Sequence, residues 1–216
     1  IGIIGLPRAG KTTLLGALTG FDPDSDSGYA REANRATVPV PDPRLDRLFE
    51  IFEPRKKTST TIEFVDLPGI EASRPGVKSD AAQVLAAVRQ VDCLMVVLRG
   101  FDRDDDPHPA GSIDIDRDLD EVRTELALAD LELLTGRVER IEKRVVKPVP
   151  DREELLAEKK VLEEFVSHLE NGDSHLEIEL PEEMEKRIRS FGLLRRKPEV
   201  VIVNQAADDL QATSPT

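Results

Sequence analysis

The chain has 216 residues, enough for one domain of ordinary size or one domain carrying an insertion. Its 30 Lys and Arg against 43 Asp and Glu leave a net charge of −13, which argues against a fold given over to nucleic acid or to sequence-specific DNA. A local basic patch would still admit a ribosomal partner. The single cysteine, Cys93, excludes an internal disulfide and fits a reducing, cytoplasmic compartment, and no apolar stretch approaches the roughly 20 residues that cross a bilayer.

Ile1 to Leu6 is short, apolar and β-branched, and reads as a buried strand. Because residue 1 already reads as strand, the true start is expected upstream. Gly10 to Leu18 reads as a helix with Leu14, Leu15 and Leu18 on one side. Phe21 to Gly28, acidic and carrying Pro and Gly, reads as a loop. Thr37 to Val40 reads as a short edge strand interrupted by Pro39. Pro43 to Phe52 predicts a helix with Leu45, Leu48, Phe49 and Phe52 spaced for one apolar face. Further strands are predicted at Thr61 to Val65, at Cys93 to Leu98 and at Val200 to Val203, with a helix over Asp80 to Gln90. The unbroken apolar run from Cys93 to Leu98 suits a strand covered on both faces. Strands alternating with helices predict an α/β class with a mostly parallel sheet.

The stretch between the last two strands differs. Leu119, Val122, Leu126, Ala129 and Leu133 step by three and four, and Leu134, Val138, Ile141 and Val145 continue after a one-residue shift. Pro148 and Pro150 stop this long helix. Asp151 with Glu154 resembles a capping box opening a second helix, with Leu155, Leu162, Phe165 and Leu169 inside and Asn171-Gly172 at its end. Pro181 opens a shorter helix closed by Gly192. Two long helices with a short connection predict an antiparallel hairpin, a helical arm inserted in the α/β domain. Its charged stripe is either a solvated face or a partner surface. The tail Gln211 to Thr216 reads as a linker or a disordered end.

Gly5-Leu6-Pro7-Arg8-Ala9-Gly10-Lys11-Thr12 matches the P-loop pattern. From average residue usage it arises by chance in roughly one chain of this length in a hundred, so the strand before it and the helix after it carry the argument. Backbone N–H groups from Gly5 to Thr13 would wrap phosphate oxygens, Lys11 would reach the β and γ phosphates, and the Thr12 hydroxyl would bind Mg²⁺. Asp66-Leu67-Pro68-Gly69 then supplies an aspartate for the Mg²⁺ shell and a glycine N–H near the γ phosphate. The residue after that glycine, where a Gln commonly orients water, is Ile70. His108, in the polar loop after Cys93 to Leu98, is either a group that positions or deprotonates water or an exposed loop histidine. His168 and His175 read as surface residues, and no Cys/His cluster has zinc spacing. Arg8 either lends its permanent charge to the phosphates or pairs with an acid such as Asp22.

On these residues the chain resembles the Obg-like ATPase (YchF) family of Obg-related P-loop proteins. The specific matches are Val40 to Asp46, Ile62 to Asp66, and above all Thr124-Glu125-Leu126-Ala127-Leu128-Ala129-Asp130-Leu131, with Lys197-Pro198 before the last strand. The resemblance implies a G domain over residues 1–112, a coiled-coil insertion over 113–195, and the last strand with the start of a linker over 196–216. It implies a TGS domain downstream, slow hydrolysis of ATP or GTP with Mg²⁺, and association with ribosomes. It also implies a histidine matching His108 and a hydrophobic residue at Ile70. The chain departs from the family at Arg8, at Ala30 in place of a switch I threonine, and over Arg74 to Ala82, where Gly76 is the one glycine of switch II. The base-reading motif starts at Asn204, but its glutamate falls on Ala207. Three roles compete: a hydrolysing switch, a nucleotide-binding scaffold with little turnover, and a binding module in which the arm dominates.

Overall fold

The computed structural model describes residues 1–20, 34–70, 78–103, 105–172 and 178–206. The expectations for Phe21 to Gly28, Ala30, residues 74–77, His175, Ala207 and the tail lie outside these residues. The chain divides into two compact units. The first is Ile1–Gly69, Cys93–Ile113 and Val200–Thr216; the second is Ile70–Asp92 and Asp114–Glu199.

The first unit is built on a five-stranded sheet in the order β2-β3-β1-β4-β5, with β1 at Gly2–Ile4, β2 at Asn34–Pro39, β3 at Thr61–Asp66, β4 at Leu94–Gly100 and β5 at Glu199–Gln205. β1 runs parallel to both β3 and β4, while β2 lies antiparallel on the β3 edge. Pro39 ends that edge strand, where a missing N–H costs no ladder bond. Ile3 and Ile4 are fully buried, and Ile3 packs with Ala9, Leu15, Phe64 and Val97. Because β1 has neighbours on both sides, the chain leaving it enters the crevice where connections diverge, the usual ligand position of such sheets. The register sets Ile3 beside Asp66, so the aspartate arrives one strand away from the loop that begins at Gly5.

Helix α1 (Lys11–Thr19) follows β1, and α2 (Pro43–Phe52) joins β2 to β3. The Asp42 side chain caps α2 by accepting from the Arg44 N–H, and Pro43 takes the first helical position. The expected apolar face of α2 does not enter the core. Leu48 is 51% and Phe52 73% exposed, and no α2 residue is buried. Periodicity predicts that a face exists, not what lies against it.

The second unit is helical: α3 (Lys78–Arg89), α4 (Ile115–Val145), α5 (Arg152–Glu170), α6 (Glu182–Arg189) and a 3₁₀ turn at Leu194–Arg196. Asp114 caps α4 by accepting from the Arg117 N–H. α4 and α5 pair antiparallel, since Arg144 meets Asp151 near the turn while Arg137 meets Glu158 further along. Leu134, Ile141, Leu155, Leu162 and Phe165 form their seam. Asp151 precedes α5 as expected but makes no capping bond. Its carboxylate accepts from Arg144 at 2.7 Å instead, because a charged partner outcompetes a backbone N–H. Among the described residues no helix is long and apolar enough to cross a membrane.

The family-like Thr124 to Leu131 segment contains Asp130, which is wholly buried in α4. One carboxylate oxygen accepts from Arg89 at 2.7 Å, and the other accepts from the Arg195 backbone N–H at 2.9 Å. Arg89 also donates to the carbonyls of Ala129 and Gly192. Truncating one partner of such a pair strands the other charge, so Asp130→Ala should lower stability by about 3–5 kcal/mol. Asp130→Asn, which keeps an acceptor for a backbone N–H, should cost less. Urea unfolding of both variants measures the order, and equal midpoints for parent and Asp130→Ala would contradict it.

Candidate nucleotide site

The loop from Gly5 to Gly10 turns through unusual backbone states. Arg8 has φ +63° and Gly10 φ +88°. The left-handed state at Gly10 suits a residue without Cβ. A Cβ there would also lie 2.2 Å from the Asn204 amide nitrogen. Gly10 is the N-cap of α1 and offers no side-chain cap, so the first N–H groups of the helix keep no side-chain acceptor from that residue. Those donors and the positive helix end form a cradle for an anion.

Lys11 is 7% exposed, and its ammonium donates to the carbonyls of Leu6 at 2.9 Å and Gly5 at 3.2 Å. The cation therefore arches back over the loop. The Thr12 hydroxyl donates to Asp66 Oδ2 at 2.7 Å. Asp66 Oδ1 is buried with no hydrogen-bond partner. Burial pushes the Asp66 carboxyl above the usual carboxylate range, against the Thr12 hydrogen bond and the Lys11 charge, which both favour ionisation. A hydroxyl and an orphaned carboxylate oxygen side by side are a donor set suited to Mg²⁺, which takes few protein ligands and fills its shell with water and phosphate. Among the described residues no group of three or more His, Cys, Asp and Glu could hold a metal. A carboxylate–hydroxyl pair beside a phosphate cradle needs no such group.

Gly69 lies against the same loop. A Cβ on it would stand 2.8 Å from Pro7 Cγ and 2.9 Å from the Pro7 nitrogen. Asn204, on β5, donates its side-chain amide to the Ala9 carbonyl at 3.1 Å. Thr13 is exposed on α1. Ile70 is 3% exposed, an apolar side chain packed away from solvent. Thus Gly5, Pro7, Ala9, Gly10, Lys11, Thr12, Asp66, Gly69 and Asn204 are joined by direct contacts.

Asp106 and Arg99 join the site without a motif of their own. Arg8 pairs with Asp106 at 2.7 Å; Asp22, the acid suggested by sequence, lies outside the described residues. Arg99, 2% exposed at the end of β4, reaches the same carboxylate at 3.9 Å. The signal for Arg99 was present as a lone cation closing an apolar strand. His108 stands two residues after Asp106 and is buried, not exposed, and its Nδ1 accepts from the Ala110 N–H at 3.2 Å. His168, expected on the surface, is half-buried in the last turn of α5. A groove of about 450 Å³ lies in the helical unit between Arg123, Leu128, Leu169 and Arg195, and none of its lining residues belongs to the P-loop.

Residues 1–135 match the family described as 50S ribosome-binding GTPase. The chain belongs to that family. Within it, the chain sits in the YchF/Obg-like ATPase group. It is 37% identical over 212 residues to the "Ribosome-binding ATPase YchF" of Haemophilus influenzae, covering 97% of this chain and 58% of the relative. It is 30% identical over 220 residues to "Obg-like ATPase 1" of Oryza sativa subsp. indica, covering 98% of this chain and 54% of the relative. The solved structure of the Schizosaccharomyces pombe YchF GTPase superposes with a TM-score of 0.78 at 25% identity, covering all of this chain and 58% of that one. The chain therefore spans less than three fifths of these relatives. The α/β fold with its mixed, mostly parallel sheet and long helix pair is the fold of that structure.

Asp66→Asn should separate stability from metal use. Removing a buried charge with an orphaned oxygen should stabilise the nucleotide-free protein by about 1 kcal/mol. The same change should abolish the Mg²⁺ dependence of nucleotide affinity. Urea unfolding, paired with calorimetric titration with and without Mg²⁺, reads both effects. An unchanged midpoint together with retained Mg²⁺ dependence would remove Asp66 from the site.

Proposed function

We propose that the chain is the nucleotide-hydrolysing part of a ribosome-associated switch, binding Mg²⁺ with ATP or GTP at Gly5 to Thr13 and turning it over slowly. The observation that carries this reading is the contact of Thr12 with Asp66 beside the buried Lys11, after a loop that turns through positive φ at Gly5, Arg8 and Gly10. Lys11 would exchange its two carbonyl partners for β and γ phosphate oxygens and neutralise charge there. Bound Mg²⁺ would polarise the β and γ phosphates. Thr12 and Asp66 would hold it, and the Gly69 N–H would meet the γ phosphate.

Ile70 cannot hydrogen-bond a water, which leaves that task to another residue. His108 suits it in one way. Its Nδ1 accepts a backbone N–H, so the neutral ring carries its proton on Nε2. A ring fixed in that tautomer donates; it orients a water or a phosphate oxygen and does not deprotonate the nucleophile. His108→Ala should lower single-turnover hydrolysis by tenfold or more, within the usual 10²–10⁴ for such groups or just below it. Parent-like rates would return His108 to a structural role.

The relatives' names supply the ribosomal part of the proposal. Co-sedimentation with ribosomes in the presence of each nucleotide tests it. The buried Ile70 favours a second reading, a nucleotide-dependent scaffold with little turnover. Single-turnover hydrolysis with and without ribosomes separates the two. Lys11→Ala should weaken nucleotide binding under either reading, by roughly 1.5–3 kcal/mol for a lost charge-assisted bond. Unchanged affinity in calorimetry would sink the site assignment itself.

Base choice should be weak. A site rejects the wrong base by leaving its own polar groups unpaired. Here the Asn204 amide is engaged in holding the Ala9 carbonyl. ATP and GTP affinities should therefore agree within about a hundredfold, about 2.7 kcal/mol. A larger ratio in competitive titration would reveal another base-reading residue.

A further inference from the structure

After β4, Phe101 and Asp106 both contact one buried cation. Arg99 is 2% exposed, yet it donates from Nε to the Phe101 carbonyl at 3.1 Å and from a terminal nitrogen to the Asp106 carbonyl at 2.5 Å. Its guanidinium lies over the Phe101 ring, 4.7 Å from the centroid. Phe101 and Asp106 are thus both tied to a single planar group. The fork geometry and weak hydration of guanidinium make it suited to such burial.

Asp106 continues the chain of contacts outward. Its backbone is held by Arg99, and its carboxylate faces two arginines: Arg8 at 2.7 Å from Oδ1 and Arg99 at 3.9 Å from Oδ2. Arg8 belongs to the P-loop and sits in a left-handed backbone state, at φ +63°, that few non-glycine residues adopt. His108 lies two residues beyond Asp106 and is 8% exposed. The Arg8–Asp106 pair joins side chains 56% and 34% exposed, and such a pair adds little to stability. Its effect is instead geometric, because one partner is the loop that wraps phosphate and the other is anchored to a buried arginine.

We infer that Asp106 is a positioning residue, which through Arg8 and Arg99 sets the His108 loop against the P-loop. This rests on the reading of His108 as the group that orients water. Asp106 would act through its two arginines rather than on the reacting atoms. Losing its carboxylate would free the P-loop and the histidine loop to move apart, and displacements on the ångström scale can cost on the order of a hundredfold in rate.

The test uses Asp106→Asn, which keeps the backbone carbonyl that Arg99 holds, with Arg8→Gln as a second break in the same pair. The chain has three histidines, so the ring resonance of His108 can be assigned by its loss in His108→Ala, with His168 and His175 as internal references. Both variants should shift the His108 resonance and leave the other two in place. Asp106→Asn should lower single-turnover hydrolysis about tenfold, with nucleotide affinity unchanged within about twofold. Adding Asp106→Asn to His108→Ala should cost nothing further, because residues acting through one another are not additive. An unmoved His108 resonance in both variants overturns the proposal, whatever the rates. So does a parent-like rate in Asp106→Asn when His108→Ala is slow, or a further tenfold loss in the double variant. If His108→Ala itself hydrolyses at the parent rate while the resonance still shifts, the positioning contact stands and the role given to His108 fails.

Discussion

Gly5 lies so close to β4 that a Cβ on it would stand 2.3 Å from the Val97 carbonyl oxygen. Its φ of +147° is itself outside the range that side chains favour. The last turn of β1 therefore passes its neighbour backbone to backbone. Everything at the site inherits that approach. Ala9 reaches the buried cluster of Ile3, Leu15 and Val97, Asp66 comes level with Ile3 one strand over, and Asn204 reaches the Ala9 carbonyl from β5. A bulkier chain at Gly5 would push the loop off the sheet, and these contacts would lengthen together.

The price of this convergence is polar. Lys11 is buried against carbonyls, and Asp66 is buried with one oxygen bonded to Thr12 and the other to nothing. An unpartnered buried acceptor costs about 1–3 kcal/mol. The fold tolerates it where a cation and phosphate oxygens would complete the shell. Stability given up at a site is a common signature of function, and here one such orphaned atom, Asp66 Oδ1, stands beside the Thr12 hydroxyl of the P-loop.

The helical unit follows a different logic. Its apolar seam centres on Leu134, Ile141, Leu162 and Phe165, and its faces are laced with ion pairs such as Lys159 with Glu142 and Glu163, most of them exposed on at least one side. Such pairs contribute little individually. The costly element is Asp130, whose two oxygens hold Arg89 from α3 and the backbone at Arg195. That gives a physical reason for the distinctive Thr124 to Leu131 segment: Asp130, the most deeply buried of the three buried carboxylates of α4, specifies which chain segments meet there.

Much of this was legible in the amino-acid order. Alternation of short apolar runs with helical periods predicts the α/β class. The long three-four repeat broken at Pro148 predicts the arm, and the bounds of α2 from Pro43 to Phe52 agree with its capping and spacing. The P-loop and the Asp66 to Gly69 turn were equally plain, because local backbone chemistry demands those residue types in that order. Partners remote in sequence were not legible. Asp151 looked like a cap and instead holds Arg144, and the apolar face expected of α2 is largely exposed. Arg8 meets Asp106, and His108 is buried with its Nδ1 on a backbone N–H. Periodicity and motif spacing report what a segment does with its own neighbours. Which cation meets which carboxylate depends on strand order and loop closure that bring distant residues such as Arg8 and Asp106 within 3 Å, and only the tertiary structure decides that.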